Sequence, residues 1–136
     1  MENQSISLWD RFKVCVSEKY CCFEGRATRS EYWGFYLFYV IFYLAACLLG
    51  AVLSGGDSDG ILARLPLFLF VCALILPTLG AFVRRMHDTN RSGWNYFWCL
   101  LPFIGWIILL VFLCQDSQRG SNKYGPSEKY PDGDAA

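Results

Sequence analysis

Between positions 84 and 94 the chain reads Arg84-Arg85-Met86-His87-Asp88-Thr89-Asn90-Arg91-Ser92-Gly93-Trp94. This short stretch holds three guanidiniums, the only histidine and a carboxylate. Arginine grips phosphate oxygens with two hydrogen bonds at once, so the stretch suits an anion such as a lipid headgroup. The plainer use of the same arginines is anchoring at the cytoplasmic side of a membrane, beside a tight turn over 89–93. His87 next to Asp88 invites hydrolase or metal chemistry. Sequence neighbours, however, do not face each other on one helix surface, a second histidine is lacking, and no serine-nucleophile motif is present. His87 is therefore expected to be structural, bonded to loop backbone or to a carboxylate. Asp88 is expected to pair with Arg26, Arg29 or Arg91, since an unpaired carboxylate near lipid is costly. No catalytic, cofactor or metal residues are assigned, and the chain is read as no enzyme.

The elements around this stretch are read from composition and pattern. Of 136 residues, 54% are apolar and 18% charged, and 12 basic side chains balance 12 acidic ones. A net charge of zero removes the basic field that nucleic acid would need. The length allows one domain. Three uncharged runs, 32–56, 65–83 and 92–115, are each long enough to hold the ~20 apolar residues that cross a bilayer. Spans are expected at about 33–53, 65–83 and 94–114. Seven cysteines would suit a disulfide scaffold in a secreted protein, but Cys47, Cys72, Cys99 and Cys114 lie inside the apolar runs and read as small buried hydrophobes. Cys15, Cys21 and Cys22 have no matching ligand cluster. Residues 1–4 open without a basic region followed by an apolar stretch, so no removable signal peptide is expected.

Trp9, Phe12, Val16, Tyr20 and Phe23 recur at spacings of three and four, which predicts an amphipathic helix over about 5–23. Its stripe faces either the membrane surface or the protein's own helices. Thr28 or Ser30 is expected to cap the first span, with Glu31 in the first turn. Residues 54–60 form a turn-rich loop. Pro77 should kink the second span at about 73–77. Pro102 and Gly105 interrupt the third run, which is either one broken span or two half-helices turning back. Each half is too short to cross alone at ~1.5 Å per residue, so three full spans are the expectation. Residues 1–126 then form one membrane domain and 127–136 a flexible polar tail.

Three spans with the N-terminus inside put eight basic residues on the cytoplasmic side and four outside; a third run that turns back makes the ratio eleven to one. The spans carry no ionisable residue, which argues against a proton-coupled carrier.

The motifs carry a resemblance. Gly25-Arg26-Ala27-Thr28-Arg29-Ser30-Glu31-Tyr32-Trp33 resembles the GRxxRxEYW opening of the bacterial inner-membrane family called domain of unknown function 805, or YhaH-like. The 84–94 stretch is similar to that family's RRLHDxxRSGWW segment, and Asn122-Lys123-Tyr124-Gly125-Pro126 to its closing NRYGP. Met86, Asn95 and Lys123 depart mildly from those patterns. The resemblance implies a small helical protein of the bacterial cytoplasmic membrane without an established activity, and it supplies no catalytic residues.

The expected protein is an all-α, small polytopic membrane bundle of three transmembrane helices plus an N-terminal interfacial helix. Arg26, Arg29, Glu31, Arg84, Arg85, His87, Asp88 and Arg91 are expected to form one cytoplasmic-face cluster that locks the bundle and contacts anionic headgroups. Membrane lipids, a second copy or other membrane proteins are the expected partners, and no nucleic acid. The alternative is a small oligomeric channel or transporter subunit.

Overall fold

The computed structural model describes residues 6–130, so Met1–Gln4 and the tail beyond 130, both covered by the sequence reading, lie outside it. The described residues form four α-helices, α1 (Leu8–Ser17), α2 (Arg29–Leu53), α3 (Ile61–Asp88) and α4 (Ile104–Cys114), with a 3-10 helix at Gly93–Leu100. They contain no strand, only an isolated bridge between Asn122 and Gly125.

The Ser7 hydroxyl caps α1 by accepting the Asp10 amide at 3.1 Å. The apolar stripe of this helix packs on α2. Phe12 stacks on Phe35 with ring centroids 5.6 Å apart, and Trp9 meets Phe38 edge-on at 5.1 Å. The helix stops at Ser17, earlier than the periodicity suggested. There the Ser17 hydroxyl turns back to the Lys13 carbonyl at 2.7 Å, and the Lys19 amide skips to the Val14 carbonyl.

Thr28 caps α2 as expected, its hydroxyl accepting the Glu31 amide at 3.3 Å. At ~1.5 Å per residue the 25 residues of α2 and the 28 of α3 exceed the ~30 Å hydrocarbon layer. Both helices are long and apolar enough to cross a membrane. They run antiparallel across the 54–60 turn and touch at Gly50, where an added Cβ would lie 2.1 Å from the Ala63 carbonyl oxygen.

Two prolines sit inside α3 without ending it. Pro77 has no N–H to give, which frees the carbonyl of Ala73 four residues earlier. The Tyr20 hydroxyl donates to that carbonyl, and the Thr78 hydroxyl bonds Leu74 O at 2.6 Å. Tyr20→Phe leaves the Ala73 carbonyl unpaired at a cost of about 1–3 kcal/mol. The expected readout is a lower melting temperature in detergent, whereas an unchanged one would show that the carbonyl has no need of Tyr20.

The third apolar run corrects the expectation of a full span at 94–114. The 3-10 helix holds eight residues and α4 eleven, about 16 Å each, roughly half the hydrocarbon thickness. Pro102 keeps Leu101 extended at φ −90°, ψ 108°, and Phe103 takes φ +62° so that the Ile104 amide closes on the Pro102 carbonyl at 2.8 Å. Gly105 then passes the Trp98 carbonyl so closely that a Cβ would lie 1.8 Å from its oxygen. The Trp106 indole N–H bonds the Cys99 carbonyl at 3.1 Å, tying the two arms of the hairpin.

The burial pattern is inverted. Leu48, Val52 and Ile61 on the long helices are more than two-thirds exposed, whereas Arg84, Arg85 and Asp88 are almost wholly enclosed. Apolar side chains face outward and charges inward, as in proteins that use lipid as solvent. Two small apolar clusters, Phe12–Cys15–Phe35–Ala81 and Phe82–Met86–Leu109–Leu113, flank the buried charges.

Candidate functional site: a buried arginine–carboxylate clasp

Antiparallel pairing brings the start of α2 to the end of α3, and the hairpin delivers the chain after α4 to the same place. The Ala27 amide bonds the Arg84 carbonyl at 2.9 Å, and the Gln118 amide bonds the Asp88 carbonyl at 3.0 Å. Five of the eight expected cluster residues, Arg26, Glu31, Arg84, Arg85 and Asp88, meet here as two adjacent centres. In the first, Glu31 pairs with Arg84 and, at 3.2 Å, with Lys19. The Cys15 thiol also points at Glu31, 3.7 Å away. Burial raises the pKa of this thiol, so it stays protonated and serves as a donor. In the second, Asp88 accepts from Arg26 at 3.0 Å, from Arg85 at 2.6 Å and from the Ser117 hydroxyl at 2.5 Å.

The rest of each guanidinium is spent on backbone carbonyls. Beyond Asp88 Oδ1, Arg26 donates to the carbonyls of Gly120 at 2.8 Å, Asp88 at 3.0 Å, Gln118 at 2.5 Å and Gly125 at 3.2 Å. Arg85 reaches Leu113 at 3.1 Å, Ala27 at 3.3 Å and Gln115. Leu113 and Asp88 lie at the C-terminal ends of α4 and α3, where the helix dipole favours a cation. An arginine has five N–H groups, and internal acceptors occupy nearly all of those on Arg26 and Arg85. Among the described residues, Arg84 Nε alone is a buried side-chain donor without a hydrogen-bond partner.

The remaining cluster members sit elsewhere. Arg29 pairs with Asp116, not Asp88, at 3.2 Å on the surface, both side chains being nearly half exposed. Arg91 makes no ion pair among the described residues; its guanidinium lies 4.2 Å from the centroid of the Phe112 ring. His87 contacts loop backbone, one of the partners expected for it. Its Nδ1 is 3.1 Å from the Gly25 carbonyl and its ring stacks on Tyr124 with centroids 3.7 Å apart.

Sequence reasoning missed Lys19, Cys15, Ser117 and the segment after α4. Residues 127–130, expected to begin a flexible tail, include Ser127 at 2% exposure. Lys129 and Tyr130 bond Asp116 at 2.6 and 2.9 Å. Lys129 holds the Asp116 carboxyl below its ordinary 3.8, and Asp116 in turn raises Lys129 above 10.5. A depressed carboxyl pKa contributes stability that is present above 3.8 and lost as pH falls below it; a raised lysine pKa contributes stability lost as pH climbs past 10.5. Because the carboxyl is held well below 3.8, the tail is expected to stay docked at pH 3.8 and to detach only as pH falls well below it, while α2 and α3 persist. The amide resonances of Ser127 and Tyr130 in detergent micelles would report it, and detachment already complete at pH 3.8 would refute it.

Two membrane-length helices with outward apolar faces, closed at one end by inward charges, define a small helical membrane protein. The chain belongs to the family described as Protein of unknown function (DUF805), whose model matches residues 20–126. It is 41% identical to inner membrane protein YhaH of Escherichia coli (strain K12), over 84% of this chain and 93% of that one. It is 40% identical to inner membrane protein YhaI of the same organism, over 86% and 94% of the two chains. The uncharacterized protein YiiR of that strain is 31% identical over 64% of this chain and 53% of its own length. No solved structure matches.

Proposed function

We propose that the protein is a non-enzymatic, multi-pass component of the bacterial cytoplasmic membrane with a structural or interaction role. In this reading the arginine–carboxylate clasp locks two spans, a half-depth hairpin and the segment after α4 into one cytoplasmic cap. The observation that carries it is the saturation of Arg26 and Arg85 by Asp88 and by seven backbone carbonyls. Guanidiniums so occupied hold the fold and have little left to grip a substrate. Contact with anionic headgroups falls instead to the members left nearer the surface, Arg29 and Arg91. His87, held at Nδ1 and across its ring, is not poised as a catalytic base.

With the hairpin returning to its starting face, eleven basic residues lie on one side of the membrane and Arg64 alone on the other. The positive-inside rule makes that side cytoplasmic. Reporter fusions test this. A fusion after residue 130 is expected to be active only with a cytoplasmic reporter, and one in the Gly55 loop only with an external reporter. An external reporter active after residue 130 would overturn the topology. The half-depth hairpin also favours a second reading, an oligomeric channel subunit, because broken apolar segments often line water-filled paths. The tip residues Leu101, Phe103 and Ile104 are all apolar and exposed, which weighs against a wet lining. Ion flux into vesicles containing the purified chain would decide for the channel.

A further inference from the structure

Beside the clasp, on the face where the 3-10 helix crosses α3, lies an open groove of about 660 Å³. Its walls are Leu79, Phe82, Trp94 and Phe97, and its polar end is formed by His87, Ser92 and Tyr124. From Leu79 to His87 it follows α3 for eight residues, ~12 Å, close to the ~15 Å depth of one leaflet's hydrocarbon. Its volume falls in the range of ligand sites, ~300–1,000 Å³. The groove is thus apolar at one end and polar at the other, along the direction in which a lipid is.

Charge at the polar end selects among lipids. Lys123 lies over the Tyr124 ring, 5.0 Å from its centroid, and Tyr124 in turn stacks on His87. Among the described residues Lys123 makes no ion pair, unlike Lys13, Lys19 and Lys129. An exposed, unneutralised ammonium beside Tyr124, one of the residues at the polar end of the groove, complements a phosphate attached to an acyl chain. Gly93 and Val83 also line the groove, in close contact: a Cβ at Gly93 would lie 2.9 Å from a Val83 methyl.

We infer that this groove holds one acyl chain of an anionic phospholipid, with the lipid phosphate at Lys123 and Ser92. The site is separate from the clasp and from Arg29 and Arg91. It rests on the proposed reading only in taking this end of the bundle to lie at headgroup depth.

The test uses the full chain purified in detergent and offered equal amounts of phosphatidylglycerol and phosphatidylcholine, with retained lipid counted by native mass spectrometry. The wild-type chain is expected to keep one phosphatidylglycerol and to prefer it by about five-fold, the effect of one lysine near an anionic headgroup. Lys123→Gln, a surface change, should erase that preference while a lipid is still held. Leu79→Trp, which fills the apolar end, should lose both lipids. Equal retention of the two lipids by the wild-type chain, or a phosphatidylglycerol count unaffected by either variant, would overturn the inference. The count does not depend on which face is cytoplasmic. Retained phosphatidylglycerol together with an external residue 130 would leave the groove standing and sink the cytoplasmic placement, whereas a cytoplasmic residue 130 with no retained lipid would sink the groove alone.

Discussion

Asp88→Asn is expected to cost about 3–5 kcal/mol and to leave little folded protein, because it strands two buried guanidiniums at once. Asp88 is fully enclosed, and Arg26 and Arg85 approach it with side chains 2% and 0% exposed. An asparagine of the same shape removes the only carboxylate that contacts either of them among the described residues. Half of its amide is also a donor, turned toward groups that are donors already. A loss of that size consumes much of the ~5–15 kcal/mol that separates a typical domain from its unfolded chain. The measurement is the monodisperse fraction on size exclusion in mild detergent, together with the melting temperature. Asp59→Asn supplies the contrast, since the Arg64–Asp59 pair is exposed on both sides and such pairs contribute at most about 1 kcal/mol. An Asp88→Asn chain that melts with the wild type would show that the clasp does not hold the cap together.

Gly105→Val is the second large effect. The site has no space, since the first side-chain carbon would fall 1.8 Å from Trp98 O and 2.9 Å from Trp98 C. Backbone cannot yield as a flexible side chain can, so the two arms of the hairpin must part. Overpacking of a closed site costs about 1–3 kcal/mol and more where backbone has to move. Parting the arms also breaks the bond from the Trp106 indole to the Cys99 carbonyl. Faster modification of the Cys99 thiol by a membrane-permeant maleimide is expected along with the lower melting temperature. Gly60→Ala is the control. Its φ is −66° and the nearest atom to the added carbon would be Asp57 Oδ2 at 3.3 Å, the end of a side chain free to swing away. Equal reactivity of Cys99 in the wild-type and Gly105→Val chains would refute the close crossing.

Much of this was legible in the residues. Thr28 or Ser30 with Glu31 announced the start of α2, the glycines and aspartates of 54–60 announced the turn, and the cost of an unpaired carboxylate pointed Asp88 toward Arg26, Arg29 or Arg91, of which Arg26 pairs with it. What stayed hidden has a common cause. Pro102 and Gly105 signalled an interruption, but whether the chain then continues or reverses depends on how closely Gly105 passes the Trp98 backbone, and periodicity carries no record of that distance. Residues from 127 on were read as a flexible tail because they lack an apolar stripe. Residues 127–130 are held instead by the Ser127 amide on the Gly120 carbonyl and by Lys129 and Tyr130 on Asp116, and the preceding segment is tied to Arg26 through carbonyls of Gln118, Gly120 and Gly125, acceptors that every residue type possesses. Lys19 was hidden for a related reason: the predicted helix ran past Ser17, which would have carried Lys19 away from Glu31.

The hairpin that begins and ends beside the clasp has a mechanical corollary. Seated in a bilayer as proposed, the molecule displaces more lipid from the leaflet holding the hairpin than from the opposite leaflet, where only α2 and α3 pass. Its outline is that of a tapered peg. A flat sheet must deform around a taper, whereas a sheet already bowed toward the wide end receives it with less elastic strain, so membrane shape itself becomes a coordinate along which this protein sorts.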